Sequence, residues 1–336
     1  PLRIIGATSG DTGSAAIQGL HGKKGVDVFM LHPKGRVSPM QELQMTTVLD
    51  PNIHNLAIEG TFDDAQAIVK ALFNDQEFKK KYYLGSVNSI NWARILAQIV
   101  YYFYAWFRVG KDESEQVSFV VPTGNFGNVL AGYYAKRMGL PIDKLVIGTN
   151  ENDILHRFFS KGEYHRTELK ETYSPSMDIQ ISSNFERYLF ELAENSAEKL
   201  QHWMEDFDRT GKLTIKGELL NNAQNDFVSA RVGDEEIVRT IRDFHQQTGY
   251  LLDPHTAVGV KAAEKTDIQT PVICLACAHP AKFGETVRKA LGTEPELPVE
   301  LAALENLETN CKTIPAITER IKHEILETLE AQSLMP

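Results

Sequence analysis

A near-continuous apolar run over 117–121 stops at Pro122, passes through Gly124-Asn125-Phe126-Gly127, and resumes from Asn128 with helical spacing. No other stretch restricts this chain so strongly. The run reads as a buried strand and the pair of glycines as a tight turn that opens a helix. Such a turn gathers backbone N–H groups at one spot where the helix dipole is positive, which suits a phosphate. The chain contains neither G-x-x-x-x-G-K-[ST] nor G-x-G-x-x-G, so the phosphate is expected to belong to a non-nucleotide cofactor, with pyridoxal phosphate the leading candidate. An ordinary strand-to-helix turn, with glycines for tightness alone, is the alternative.

Around this stretch, strand-like and helical runs alternate. Strands are expected near 2–6, 26–31, 54–58, 117–121, 144–149 and 271–277, and helices between them, including 61–73, 89–108, 127–138, 255–265 and 314–331. This order predicts an α/β chain with mostly parallel sheets and helices on both faces. With 336 residues, two lobes are expected, divided near 85–90: 1–88, a large lobe over 89–310, and a C-terminal helix over 311–336. The net charge of −10 argues against a nucleic-acid or anionic-membrane partner. The most apolar helix, 95–107, is too short to span a bilayer and reads as a buried core helix. Charged connectors over 111–116 and 161–172 read as surface loops. Cys274 and Cys277 form a C-x-x-C that looks like part of one buried strand; a redox pair is the alternative. With only Cys311 besides, a reducing setting is expected, cytoplasmic with an organelle as the alternative. Leu2-Arg3-Ile4-Ile5-Gly6 reads as a core strand from the outset, so the chain is expected to be a fragment.

Further candidate groups each follow an expected strand, where ligands of α/β folds sit. Thr8, Ser9, Asp11 and Thr12 lie in Ala7-Thr8-Ser9-Gly10-Asp11-Thr12-Gly13, whose hydroxyls and backbone donors suit a carboxylate or phosphate; Asp11 as a helix cap is the alternative. Asn88, Asn91 and Arg94 stand three apart, near one side of the expected helix, and can hold an anion; a capping asparagine and a surface ion pair are the alternative. Lys34 can reach an anion or be a solvated loop lysine. Cys277 stands where a small side chain can face a cofactor ring nitrogen. His279 reads as structural, and the ten histidines show no metal-binding spacing.

Together, Ala7-Thr8-Ser9-Gly10-Asp11-Thr12-Gly13, His32-Pro33-Lys34-Gly35, Gln41-Glu42-Leu43-Gln44-Met45, Asn88-Ser89-Ile90-Asn91-Trp92-Ala93-Arg94, Gly124-Asn125-Phe126-Gly127-Asn128, Asn150-Glu151-Asn152-Asp153, Pro254-His255-Thr256-Ala257-Val258 and Ala278-His279-Pro280-Ala281-Lys282-Phe283 closely resemble the threonine synthase family, over essentially the whole chain. The resemblance implies the type II fold of pyridoxal-phosphate enzymes (tryptophan synthase beta-like) with an N-terminal part missing. It implies conversion of O-phospho-L-homoserine and water to L-threonine and phosphate. It makes Gly124, Asn125, Phe126, Gly127 and Asn128 the cofactor phosphate cradle. It puts Thr8, Ser9, Asp11 and Thr12 in a substrate loop, and Lys34, Asn88, Asn91 and Arg94 on the substrate phosphate. Cys277 stands where the family usually has a threonine toward the pyridine nitrogen. The family's Schiff-base lysine lies in a His-Gly-Pro-Thr-x-x-Phe-Lys-Asp segment that this sequence does not contain, so no catalytic residue is assigned and the chain by itself is expected to be inactive. A phospholyase of the same branch and a non-catalytic binding protein are the alternatives. The resemblance implies a small-molecule phospho-amino acid as partner and leaves the oligomeric state open.

Overall fold

Where the apolar runs are continuous, strands form in parallel, because helices between them return the chain to the same edge. The computed structural model describes residues 1–110, 112 and 115–333. Its strands are β1 (Leu2–Ala7), β2 (Val26–Pro33), β3 (Ile53–Glu59), β4 (Leu84–Gly85), β5 (Val117–Pro122), β6 (Ile142–Thr149), β7 (Glu163–His165), β8 (Lys212–Thr214), β9 (Phe227–Arg231), β10 (Val272–Cys274) and β11 (Lys312–Pro315). They serve two units: Pro1–Asn88 with Glu296–Pro336, and Ser89–Pro295.

In the first unit the order is β11-β3-β2-β1-β4, with every pair parallel. Its core packs Ile5, Phe29, Leu31, Leu56 and Ile58 against Ile68, Val69 and Leu72 of the helix Phe62–Asn74. That helix starts where the sequence indicates, with Thr61 and Asp64 exchanging capping hydrogen bonds. The expected helix over 314–331 begins only at Thr318, since Ile314 is buried in β11, which pairs with β3. That pairing draws 296–310 into this unit and away from the large lobe where it was expected.

In the second unit the order is β10-β5-β6-β9, again parallel, beside an antiparallel pair β7-β8. The sequence reading has no counterpart for β9, the helix Glu218–Asp226 or the β7-β8 pair, and β7 lies inside the stretch expected as a loop over 161–172. Of the loop expected over 111–116, Lys111, Glu113 and Ser114 lie outside the described residues. The strand expected over 271–277 ends at Cys274, and the last ladder contact is Leu275 N donating to Val120 O. Cys277 is exposed, so the two cysteines do not share a buried strand; burial pushes the Cys274 thiol up to about 12. The apolar helix Trp92–Val109 is buried on one side only. Ile95, Ile99, Tyr102 and Trp106 enter the core, whereas Leu96, Val100, Tyr104 and Phe107 are exposed on this unit. No described helix is long and apolar enough to cross a membrane.

Candidate functional site

The turn after β5 is shaped by a residue in an uncommon conformation. Phe126 adopts φ 60°, ψ 2°, left-handed values that cost a non-glycine residue about 1–3 kcal/mol. Its side chain is 1 % exposed and lies among Phe159, Phe185, Tyr188 and Phe227, with ring centroids 5.3–5.9 Å away. The aromatic core thus holds the backbone in place.

The carbonyls of this turn point into the protein. Gly124 O accepts from Ser182 Oγ at 2.7 Å, and Asn125 O accepts from Asn184 N at 3.1 Å and Asn184 Nδ2 at 3.0 Å. Asn125 Oδ1 accepts from Ser183 Oγ at 3.0 Å. Farther on, Asn128 O accepts from the buried Tyr102 hydroxyl at 2.7 Å. The donors are treated oppositely. The helix Gly127–Arg137 has no side-chain cap, and among the described residues the N–H groups of Gly124, Asn125, Phe126, Gly127 and Asn128 have no hydrogen-bond acceptor. Partly buried donors of this kind fit an anion of several oxygens. A Cβ at Gly124 would stand 3.3 Å from the Ser176 carbonyl and Met177 Cα, so a side chain there would press on fixed backbone.

Arg94 lies in the first turn of Trp92–Val109. It is partly buried, and among the described residues its guanidinium has neither an ion pair nor a hydrogen bond. Burial lowers its pKa against a smaller opposing effect of Tyr101, yet it stays a cation. The surface ion pair is thereby excluded. The helical spacing expected of Asn88, Asn91 and Arg94 does not form, because the helix starts only at Trp92. Asn91 is its exposed N-cap, with Oδ1 accepting from Ala93 N at 2.9 Å, and Asn88 falls in the first unit, donating to Ser86 Oγ at 3.0 Å.

In the first unit, Thr8, Lys34 and Asn88 all follow the carboxyl ends of adjacent parallel strands. Thr8 is 1 % exposed and turned inward: Oγ1 donates to Gly10 O and accepts from Gly10 N at 3.0 Å and Gly13 N at 2.8 Å. It holds the loop and does not present a hydroxyl, contrary to the expected substrate contact. Asp11 sits inside the first turn of Asp11–Leu20 and does not cap it; Gly10 is the N-cap. Ser9 and Thr12 are half-exposed, and Lys34 is exposed.

Cys277 is exposed, with Sγ 3.7 Å from Leu275 O, and its backbone N donates to Thr256 Oγ1 at 2.9 Å. His279 caps the short turn Pro280–Phe283 by accepting from Ala281 N, a structural use. No group of metal ligands occurs among the described residues. Ser182, Ser183 and Asn184 escaped the sequence reading, in which Ser-Ser-Asn before an apolar helix looks like any N-cap.

Two family models match the chain: pyridoxal-phosphate dependent enzyme over residues 2–205, and threonine synthase, C-terminal, over residues 256–325. A threonine synthase of Schizosaccharomyces pombe is 51% identical over 92% of this chain and 67% of its own length. That of Saccharomyces cerevisiae is 49% identical over 99% and 70%. The crystal structure of pyridoxal-phosphate-bound threonine synthase from Brucella melitensis superposes with a TM-score of 0.90 at 47% identity, covering 97% of this chain and 70% of that one.

Proposed function

The chain belongs to the threonine synthase family of pyridoxal-phosphate dependent enzymes, and from that premise we propose which of its residues meet cofactor and substrate. The fold is the type II fold of that cofactor class, and the activity is that of a threonine synthase. The reaction turns O-phospho-L-homoserine and water into L-threonine and phosphate. When bound, pyridoxal phosphate supplies an electron sink for negative charge at the substrate Cα.

The N–H groups of Gly124 to Asn128 hold the cofactor phosphate. What carries this reading is the division within one turn: carbonyls tied to Ser182 and Asn184, donors left open. Cys277 would face the ring nitrogen and, as a weak donor, would leave it largely unprotonated. Arg94 takes the substrate phosphate and steadies its charge as the C–O bond breaks, because an unpaired, partly desolvated guanidinium gains most from an anion. Asn91 has its Nδ2 to offer the same group. On the first unit, taken by itself, Lys34 and Asn88 are proposed as anion ligands, and Ser9 and Thr12 as the hydroxyls of the substrate loop, with Thr8 and Asp11 shaping it.

Titrating the 336-residue chain with pyridoxal phosphate, followed by tryptophan fluorescence, tests the cradle; saturable binding opposed by inorganic phosphate is expected, and no binding sinks it. Arg94→Ala should leave that affinity in place while weakening O-phospho-L-homoserine about tenfold to a hundredfold. Unchanged substrate binding would remove Arg94 from the site.

A further inference from the structure

Behind Cys277 stands a buried carboxylate that the reading above does not use. Asp253 is 2 % exposed and N-caps the helix Pro254–Lys265. Its Oδ1 accepts from His255 N at 2.9 Å, His255 Nδ1 at 3.0 Å and Thr256 N at 3.3 Å. Its Oδ2 accepts from Thr256 Oγ1 and from Ala278 N at 3.3 Å. The Thr256 hydroxyl in turn accepts from Cys277 N. An N-cap needs only the helix's own first N–H groups. Here the carboxylate also takes up two consecutive N–H groups of the segment leaving β10, one directly and one through Thr256.

We propose that Asp253 and Thr256 are positioning residues that fix the Cys277–Ala278 backbone and thereby aim the Cys277 side chain at the cofactor ring nitrogen. This rests on the assignment of Cys277 made above. Thr256 is suited to the task because its hydroxyl can donate to Asp253 and accept from Cys277 at once. Burial works to raise the Asp253 carboxyl, but the donors from His255 and Thr256 hold it below the usual carboxylate range. It is therefore an anion at neutral pH, and an acceptor only.

The test uses the full 336-residue chain, with pyridoxal phosphate as probe and two readouts: its affinity, and the rate at which Cys277 reacts with an aromatic disulfide reagent. The Cys277 phase is the one absent from Cys277→Ser. Thr256→Val should change that rate about threefold or more and lower affinity about threefold to tenfold, whereas Thr256→Ser should restore both. Asp253→Asn should act like Thr256→Val. Inorganic phosphate affinity, which reads the proposed phosphate-binding groups and not Cys277, should not move in any variant. If Cys277→Ser alters cofactor affinity or absorbance but Thr256→Val, judged folded by circular dichroism, matches wild type in both readouts, the positioning role is overturned. If Cys277→Ser itself changes neither affinity nor absorbance, the assignment of Cys277 fails and takes the proposal with it. Failure of Thr256→Ser to restore the thiol rate would reduce Thr256 to packing and equally overturn it.

Discussion

Two turns in this chain share one sequence pattern, strand then glycine turn then helix, and treat their backbone donors in opposite ways. After β1, the N–H groups of Gly10 and Gly13 are taken by Thr8 Oγ1, and Ser14 N bonds Gly10 O. After β5, side chains of the 182–184 segment tie down carbonyls and leave the N–H groups open. A glycine-rich helix start therefore does not define an anion site. What defines one is which half of each peptide group the surroundings have already satisfied. The first turn closes on its own donors; the second leaves its main-chain donors open.

The strongest way to break this contrast is Gly127→Asp. A Cβ there would stand 3.3 Å from Asn184 Nδ2 and 3.4 Å from Ile95 Cδ1, so the substitution presses on the support of the turn and brings in a carboxylate that repels a phosphate by about 1–4 kcal/mol. Pyridoxal phosphate affinity should fall by about a hundredfold or more, measured by fluorescence titration; wild-type affinity would refute the cradle. The counterpart in the first turn is Gly10→Ala. Gly10 has φ 144°, and a Cβ would lie 2.5 Å from the buried Gln41 side chain. Stability should drop by about 1–3 kcal/mol in denaturant unfolding, with cofactor affinity unchanged; lost affinity at unchanged stability would reverse the roles of the two turns.

A smaller effect concerns the segment that supports the second turn. Asp178 accepts from Asn150 Nδ2 at 2.7 Å, Asn152 Nδ2 at 3.0 Å, and Thr172 Oγ1 and N at 2.7 and 2.9 Å. Burial nevertheless pushes its carboxyl up to about 6. A folded value above the unfolded one means that its contribution to stability is full below about pH 4 and is lost as pH rises through 6, by at most about 3 kcal/mol. The stability difference between wild type and Asp178→Asn should shrink accordingly between pH 4 and 6. A difference independent of pH would contradict the shift.

What could be read from the sequence follows from where the information lies. β1, β2, β5 and β6 announce themselves because each is a run of core residues, and the turn at Gly124 because its glycines are local. Phe227-Val228-Ser229-Ala230-Arg231 is too short and mixed to declare itself; its partner β6 makes it a strand. β11 merges in sequence with the helix that follows it, since its four residues become a strand only by pairing with β3. Spacing sets Asn91 and Arg94 on one helix, but periodicity does not say where a helix begins, and this one starts at Trp92. The support from Ser182 to Asn184 comes from 58 to 59 residues away, a distance at which single-sequence patterns carry no signal.

The placement of Phe126 joins two properties that are usually separate. A side chain fully interior to the aromatic cluster sets the dihedral angles that hold the donors open, so the openness of those donors and the solidity of that cluster become one variable. Changes distant from any ligand, a smaller residue at Phe159 or Phe227 for instance, would register first as a looser hold on the cofactor. On warming, release should run ahead of global melting. A binding isotherm then serves as a gauge of the interior.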